Sequence, residues 1–231
     1  MAYFPMFVDI TDKKCLVVGG GKVALRKVQV LLDFGADVTV VADRICDDIK
    51  ILYGENQKVK DQCIGYSYKK NETLATIETK ESRGRLSLFE KKFEDDDLEG
   101  KLLVVAATSD DELNARISSL CRAAKIPVNV VDDKEKCSFI FPSYIKEKNL
   151  VGAFSSGGNS PVLATYMKNK MSDVLTSQMG ELNETFGKLR PKIIKKFPEE
   201  KDRKAFFGRI IELAGKEGRV PNDSEIEEML K

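Results

Sequence analysis

Lys14-Cys-Leu-Val-Val-Gly-Gly-Gly-Lys-Val-Ala-Leu-Arg-Lys27 is an apolar run that enters three consecutive glycines and leaves as a helix-forming segment. So tight a strand-to-helix turn favours a bound pyrophosphate. Gly19 makes the turn, and Gly21 lets the main chain approach the ligand. Ala24 takes the third small position of the G-x-G-x-x-G/A fingerprint, where helix and strand pack closely. Lys22 and Val23 open the helix, whose N-terminus offers backbone donors and a partial positive charge to phosphates. Glycines that merely cap a buried strand would look the same over these few residues, so the flanking sequence has to decide.

The flanks agree with the fingerprint. Residues 22–34 place Val23, Val28, Val30, Leu31 and Leu32 mostly on one helical face, Gly35 stops the helix, and Asp37-Val-Thr-Val-Val-Ala42 reads as a second strand. Asp43 follows that strand about 20 residues after the glycines, where a carboxylate accepts from the adenosine ribose hydroxyls. That spacing selects NAD. Arg44 blurs the choice, because an adjacent arginine could hold the 2'-phosphate of NADP.

Composition narrows the function classes. The chain has 231 residues, with 38 Lys and Arg against 37 Asp and Glu, so its net charge of +1 gives no global attraction to nucleic acid or membrane. No run approaches the roughly 20 apolar residues of a membrane span, and the N-terminus lacks the basic start of a signal peptide. A cytoplasmic enzyme is the expectation. The cysteines at 15, 46, 63, 121 and 137 form an odd set without a C-x-x-C pair, which argues against a disulfide framework or zinc site. There is no histidine, so an imidazole base, a Ser-His-Asp triad and a His-ligated metal are all excluded. No metal site is expected, and proton transfer must fall to a carboxylate, Lys, Tyr or Cys.

Along the chain, Asp43 to Leu52 reads as a short helix. Residues 54–84 are polar and charged, with weak strand candidates at Ile64–Tyr68 and Leu74–Thr79, and read as an insertion, in simplest form a mobile hairpin. Strands are then expected at Arg85–Phe89, Lys101–Ala107 and Ile126–Val131, with a helix Asp111–Ala124 capped by Asp110 between the last two. Alternation of this kind predicts an α/β fold, a Rossmann-type parallel sheet. From Ser138 the pattern changes to a hairpin, Ser138–Ile145 and Leu150–Ser155. A helix then opens at Ser160-Pro161, and helical sequence continues to the end. The expected organisation is a NAD-binding Rossmann domain over 1–137, a small β dimerisation region over 138–172 and a helical domain over 173–231.

Ligands of open α/β sheets bind beyond the carboxyl ends of the strands, so the residues just after each strand carry the chemistry. Thr108 and Ser109 could line the nicotinamide side, although Thr108 to Asp111 could equally only cap the next helix. Asn129-Val-Val-Asp132 brings a carboxylate to the same rim, where a plain solvated loop acid beside Asp133 is the competing reading. Ser155-Ser-Gly-Gly-Asn-Ser-Pro161 is a small-residue loop entering a helix and a second candidate anion site.

Tyr3-Phe-Pro-Met-Phe-Val8, Val17 to Lys27, Asp97-Leu-Glu-Gly100, Ala106 to Asp111, Asn129 to Asp132, Ser138-Phe-Ile-Phe-Pro-Ser143 and Ser155 to Ala164 together resemble the precorrin-2 dehydrogenase family of siroheme biosynthesis. The resemblance runs over roughly residues 3 to 168. It implies a homodimer that oxidises precorrin-2, a tetrapyrrole, to sirohydrochlorin with NAD, and some members also insert ferrous iron. It also implies that Asp132 is the residue linked to catalysis, and that Asn129 and Ser156 lie near the tetrapyrrole. A carboxylate facing the nicotinamide could serve as the base when a hydride and a proton leave.

The chain departs from the family in its longer 54–84 stretch and in Asp133-Lys-Glu after Asp132. The second acid could raise the pKa of its neighbour or blur which of the two acts. Between Lys188 and Lys204 eight basic residues face three acidic ones, which reads either as a face for a polycarboxylate substrate or as a solvated helix surface. Three functions follow: the dehydrogenase, a dehydrogenase that is also a ferrochelatase, and a non-catalytic NAD-sensing module.

Overall fold

The computed structural model describes residues 3–58 and 84–230. Most of the predicted insertion, with both of its strand candidates, lies outside these residues. Two compact units emerge, Tyr3–Phe141 and a second from Pro142 onward.

The first unit is a parallel five-stranded sheet of β1 (Lys14–Val18), β2 (Asp37–Ala42), β3 (Arg85–Glu90), β4 (Leu103–Ala106) and β5 (Val128–Val130), in the order β3-β2-β1-β4-β5. This is the first five strands of the Rossmann order 3-2-1-4-5-6, and its switch point falls between β1 and β4. Helices α1 (Lys22–Asp33), α2 (Asp47–Lys58) and α3 (Asp111–Ala123) connect the strands. Strands covered on both faces have to be apolar throughout, and Cys15, Leu16, Val17 and Val18 are all buried. One core packs α1 and its Ala24, Val28, Leu31 and Leu32 against Val17, Val38 and Val40. The other sets Ile117 and Cys121 of α3 against Leu16, Val104 and Val128. Burial pushes the Cys15 thiol up to about 12 and the Cys121 thiol to about 11, which marks both as packing groups.

Two boundaries differ from the sequence reading. The helix expected from Asp43 begins only at Asp47, because residues 43–46 form the loop beneath the glycine turn. The strand expected from Ser138 begins at Ser143. Residues 137 and 138 instead close the open edge of β5 with side chains, Ser138 Oγ accepting from Val128 N at 2.8 Å and Cys137 Sγ from Val130 N at 3.2 Å.

The second unit opens with an antiparallel hairpin, β6 (Ser143–Glu147) and β7 (Leu150–Phe154), turned through Lys148 and Asn149. α4 (Pro161–Met171) follows, with Ser160 Oγ accepting from Leu163 N and Pro161 in the first turn, as the sequence predicts. α5 (Ser177–Lys196), α6 (Glu200–Glu217) and α7 (Asp223–Met229) enclose Leu182, Ile193, Phe206, Ile210 and Ile226. Among the described residues no helix is long and apolar enough to cross a membrane.

Candidate active site

Each of the three glycines meets a different neighbour. Gly19 has φ +124°, and a Cβ there would lie 2.3 Å from the Ala107 carbonyl oxygen, because the chain leaving β4 crosses directly over it. Its N–H donates to the Val41 carbonyl at 2.9 Å, which ties together the ends of β1 and β2. Gly20, the variable position of the fingerprint, is the most crowded of the three: a Cβ would lie 2.1 Å from the Arg44 carbonyl oxygen. Cys46 N donates to its carbonyl at 2.8 Å, so the loop carrying Asp43 and Arg44 is pressed onto the glycine turn. At Gly21 a Cβ would meet nothing within 4 Å. Its backbone is extended and open to any residue, so the protein itself places no demand for glycine there.

These observations test whether a dinucleotide fits. α1 starts at Gly21 without a side-chain cap and with no acidic residue in its first turn, which leaves its orphan donors and the positive end of its dipole for an external anion. Lys22 and Val23 stand at that end, and the open side of Gly21 gives main-chain access to it. Asp43 and Arg44 are both exposed at the end of β2. Their loop is held by Glu90 at the end of β3, whose carboxylate accepts from Ile45 N at 3.0 Å and pairs with Lys50 at 2.7 Å. Those two contacts hold the Glu90 carboxyl below its ordinary pKa. The residues present fit a dinucleotide.

Across the switch point, Thr108 is committed to local structure. Its hydroxyl donates to Asn114 Oδ1 at 2.8 Å and accepts from Asp110 N at 3.1 Å, while Asn114 Nδ2 returns a bond to the Thr108 carbonyl at 3.0 Å. Asp110 caps α3, accepting from Glu112 N and Leu113 N. The capping reading therefore describes Thr108 and Asp110, and Ser109 stands exposed between them. Asn114, buried and fully engaged, fixes this loop, and sequence reasoning missed it. Its signal is an asparagine one turn into an otherwise amphipathic helix.

The rim acid shares an uncommon backbone conformation with Asp12 and Lys125. Asp132 is exposed and has φ +60°, a left-handed conformation that non-glycine residues adopt at a cost. The structure around it absorbs that cost. Cys137 Sγ accepts from Val130 N and lies 3.2 Å from the carbonyls of both Val130 and Asp133, so one buried thiol clamps the chain on either side of Asp132. Asp133 turns away: it accepts from Lys136 N at 3.2 Å and pairs with Lys136 Nζ at 2.6 Å, and these contacts lower its pKa. The two acids differ in their surroundings, Asp133 holding the loop and Asp132 facing solvent.

Asn129 is buried in β5, with its amide donating to the Phe139 carbonyl at 3.1 Å and to Cys137 Sγ at 3.4 Å. It reaches the rim through Phe139. Ser156 is half-buried in the second unit, and its hydroxyl accepts from Ser160 N at 2.9 Å. The loop around it does not form an anion nest, because the N–H groups of Gly157, Asn159 and Ser160 are all satisfied within it. The basic run is also broken up. Lys192 pairs with Glu227, Lys204 pairs with Glu200 at 2.7 Å, Lys196 donates to the Leu230 carbonyl, and Arg203 caps the end of α5 through the Phe197 carbonyl. Lys188 and Arg190 line a groove of about 780 Å³ beside Phe186 and Phe207.

A parallel sheet with a glycine-walled crevice at its switch point, an uncapped helix end and an acid beyond β2 defines a dinucleotide-binding α/β protein. The chain belongs to the family described as putative NAD(P)-binding, whose profile matches residues 6–143. Siroheme synthases are similar over nearly all of it. That of Nitrosospira multiformis is 35% identical over 92% of this chain, and that of Zymomonas mobilis 38% identical over 91%. The aligned region is 40% and 39% of those proteins, so the chain spans well under half the length of these relatives. A solved structure named SirC, precorrin-2 dehydrogenase, has the same fold, with a TM-score of 0.62 and 20% identity, covering 99% of this chain and 97% of that one.

Proposed function

We propose that this chain oxidises precorrin-2 to sirohydrochlorin, with NAD as oxidant, in siroheme biosynthesis. The observation that carries the reading is Asp132, an exposed carboxylate in a clamped left-handed conformation after β5, in a unit whose glycine turn suits a dinucleotide. The similarity to siroheme synthases over 92% of the chain supports the substrate.

Gly21, Lys22 and Val23 would hold the pyrophosphate at the turn that Gly19 makes, Asp43 the adenosine ribose with Arg44 beside it, and Ser109 the nicotinamide side, on a loop that Thr108 fixes through Asn114. NAD, when bound, supplies the hydride acceptor. A carboxylate oxygen of Asp132 takes the proton that leaves the tetrapyrrole with the hydride, a contribution of about 10²- to 10⁴-fold in rate. The pairing of Asp133 with Lys136 supports Asp132 as the base. Asn129 shapes the substrate side through Phe139, and Ser156 is the second unit's own candidate for a substrate contact.

The wider arrangement in this reading is a homodimer joined through residues 138–172, with 173–231 as a helical domain. The apolar side chains Val162, Leu163, Tyr166 and Met167, exposed on α4, support that interface. A reducing cytoplasm suits the unpaired thiols of Cys15, Cys121 and Cys137.

The test is an anaerobic assay with precorrin-2 generated in place, run with NAD and NADP in parallel. Wild type is expected to form NADH. Asp132→Asn is expected to keep its NAD affinity and lose at least about 10²-fold in turnover. NAD binding without any oxidation by wild type would instead describe a sensing module, and full turnover by the variant would remove Asp132 from the reaction.

A further inference from the structure

Lys27 lies one turn beyond the dinucleotide end of α1, half-buried, and nothing above uses it. Its ammonium sits 4.1 Å from the centre of the Phe141 ring, and that ring is tilted against Phe139 with centroids 5.3 Å apart. Phe139 is the residue whose carbonyl Asn129 grips from β5. Burial and the neighbouring Arg26 disfavour the charged ammonium, and Asp132 offsets them only weakly.

That arrangement is hard to explain as packing. Withdrawing an ammonium from water is unfavourable unless a partner compensates, and burial lowers the pKa of Lys27 accordingly. A ring face attracts a cation but cannot accept its three N–H bonds as a carboxylate does. The neighbouring Phe139 and Phe141 add an apolar surface beside the charge. An ammonium held on one aromatic ring, with a second ring packed against it, suits a ligand that combines a flat apolar ring system with acidic arms.

We infer that Lys27 is a substrate-binding residue of this site, its ammonium taking one carboxylate arm of the tetrapyrrole while Phe141 holds the ammonium in place. The inference rests on the dehydrogenase reading for the identity of the ligand. It assigns to α1 two duties: its N-terminus serves the oxidant and its second turn serves the substrate. Asp132 is then left to receive the proton rather than to hold the arm.

The experiment compares wild type, Lys27→Met and Lys27→Arg by steady-state oxidation of precorrin-2 and by direct titration with sirohydrochlorin and with NADH, each followed spectroscopically. Methionine keeps the apolar stem against Phe141, so unfolding midpoints should match. Lys27→Met is expected to raise KM for precorrin-2 and Kd for sirohydrochlorin by about tenfold, with kcat and NADH affinity little changed and Lys27→Arg restoring most of the loss. Unchanged KM and Kd in Lys27→Met would overturn the assignment. A fall in kcat alone would overturn it in favour of a residue acting through Asp132, and weaker NADH binding would overturn it in favour of the cofactor. Should wild type bind sirohydrochlorin but not oxidise precorrin-2, the dehydrogenase reading fails while the titration still decides Lys27. Should wild type bind no sirohydrochlorin, both fail.

Discussion

Alanine at each of the three glycines should separate what the fold requires from what the ligand requires. At Gly20 the added Cβ would stand 2.1 Å from the Arg44 oxygen and 2.8 Å from the Ile45 Cα, both backbone atoms of a loop that Glu90 and Cys46 hold in place. The loop cannot retreat without breaking those bonds, so the cost is about 1–3 kcal/mol or more. At Gly19 a contact of 2.3 Å adds to φ +124°, which itself costs about 1–3 kcal/mol for a residue with a side chain. At Gly21 there is no contact and no strain. Losing a glycine N-cap to alanine costs up to about 1 kcal/mol. The stiffer unfolded chain returns about 0.4–1 kcal/mol, so the net change is near zero.

Denaturant unfolding should therefore rank Gly19→Ala and Gly20→Ala well below wild type and Gly21→Ala beside it. Calorimetric titration with NAD should show Gly21→Ala binding at least about tenfold more weakly, a loss of about 1.4 kcal/mol, because its methyl group occupies the side open to the pyrophosphate. Wild-type NAD affinity in Gly21→Ala would refute the reasoning at its centre. So would a destabilisation equal to that of Gly20→Ala.

Two further outcomes can be measured. Replacing Cys137 by alanine strips the partner from Val130 N at the edge of β5 and unclamps Asp133, so stability should fall by about 1–3 kcal/mol and turnover should fall while NAD affinity holds; serine should recover part of both, and an unchanged kcat would end the clamp argument. In the second unit, Arg219 grips Glu225 at 2.6 and 2.8 Å and Glu225 also accepts from Asn222 N, which holds its carboxyl at about 2. A lowered folded-state pKa gives stability that is present above the ordinary carboxylate range and lost as pH falls toward 2. Glu225→Gln should flatten that acid limb in a circular-dichroism titration, and an unaltered limb would count against the pairing.

The places where sequence reading stopped short share one cause. Gly20 needs a loop from beyond β2, Asn114 needs the chain leaving β4, and Cys137 needs the edge of β5; each function exists only once segments distant in sequence touch. The strand expected at Ser138 failed in the same way. Its apolar run resembles a strand, but Ser138 and Cys137 spend their side chains on the β5 backbone before the hairpin begins at Ser143. The eight basic residues after Lys188 formed a cluster in sequence, whereas several of them pair with Glu227, Glu200 and helix-end carbonyls once the helices pack.

By itself the sequence determined the class of fold, the glycine turn, the acid after β2 and the acid after β5. Those depend on local periodicity and on spacing along one or two elements, which the order of residues specifies directly. Tertiary structure alone decided which glycine serves the fold and which is open to a ligand, which of two adjacent acids faces solvent, and that Lys27 lies on the Phe141 ring. Those are contacts across strand ends, and close packing brings them together only when the whole sheet has formed.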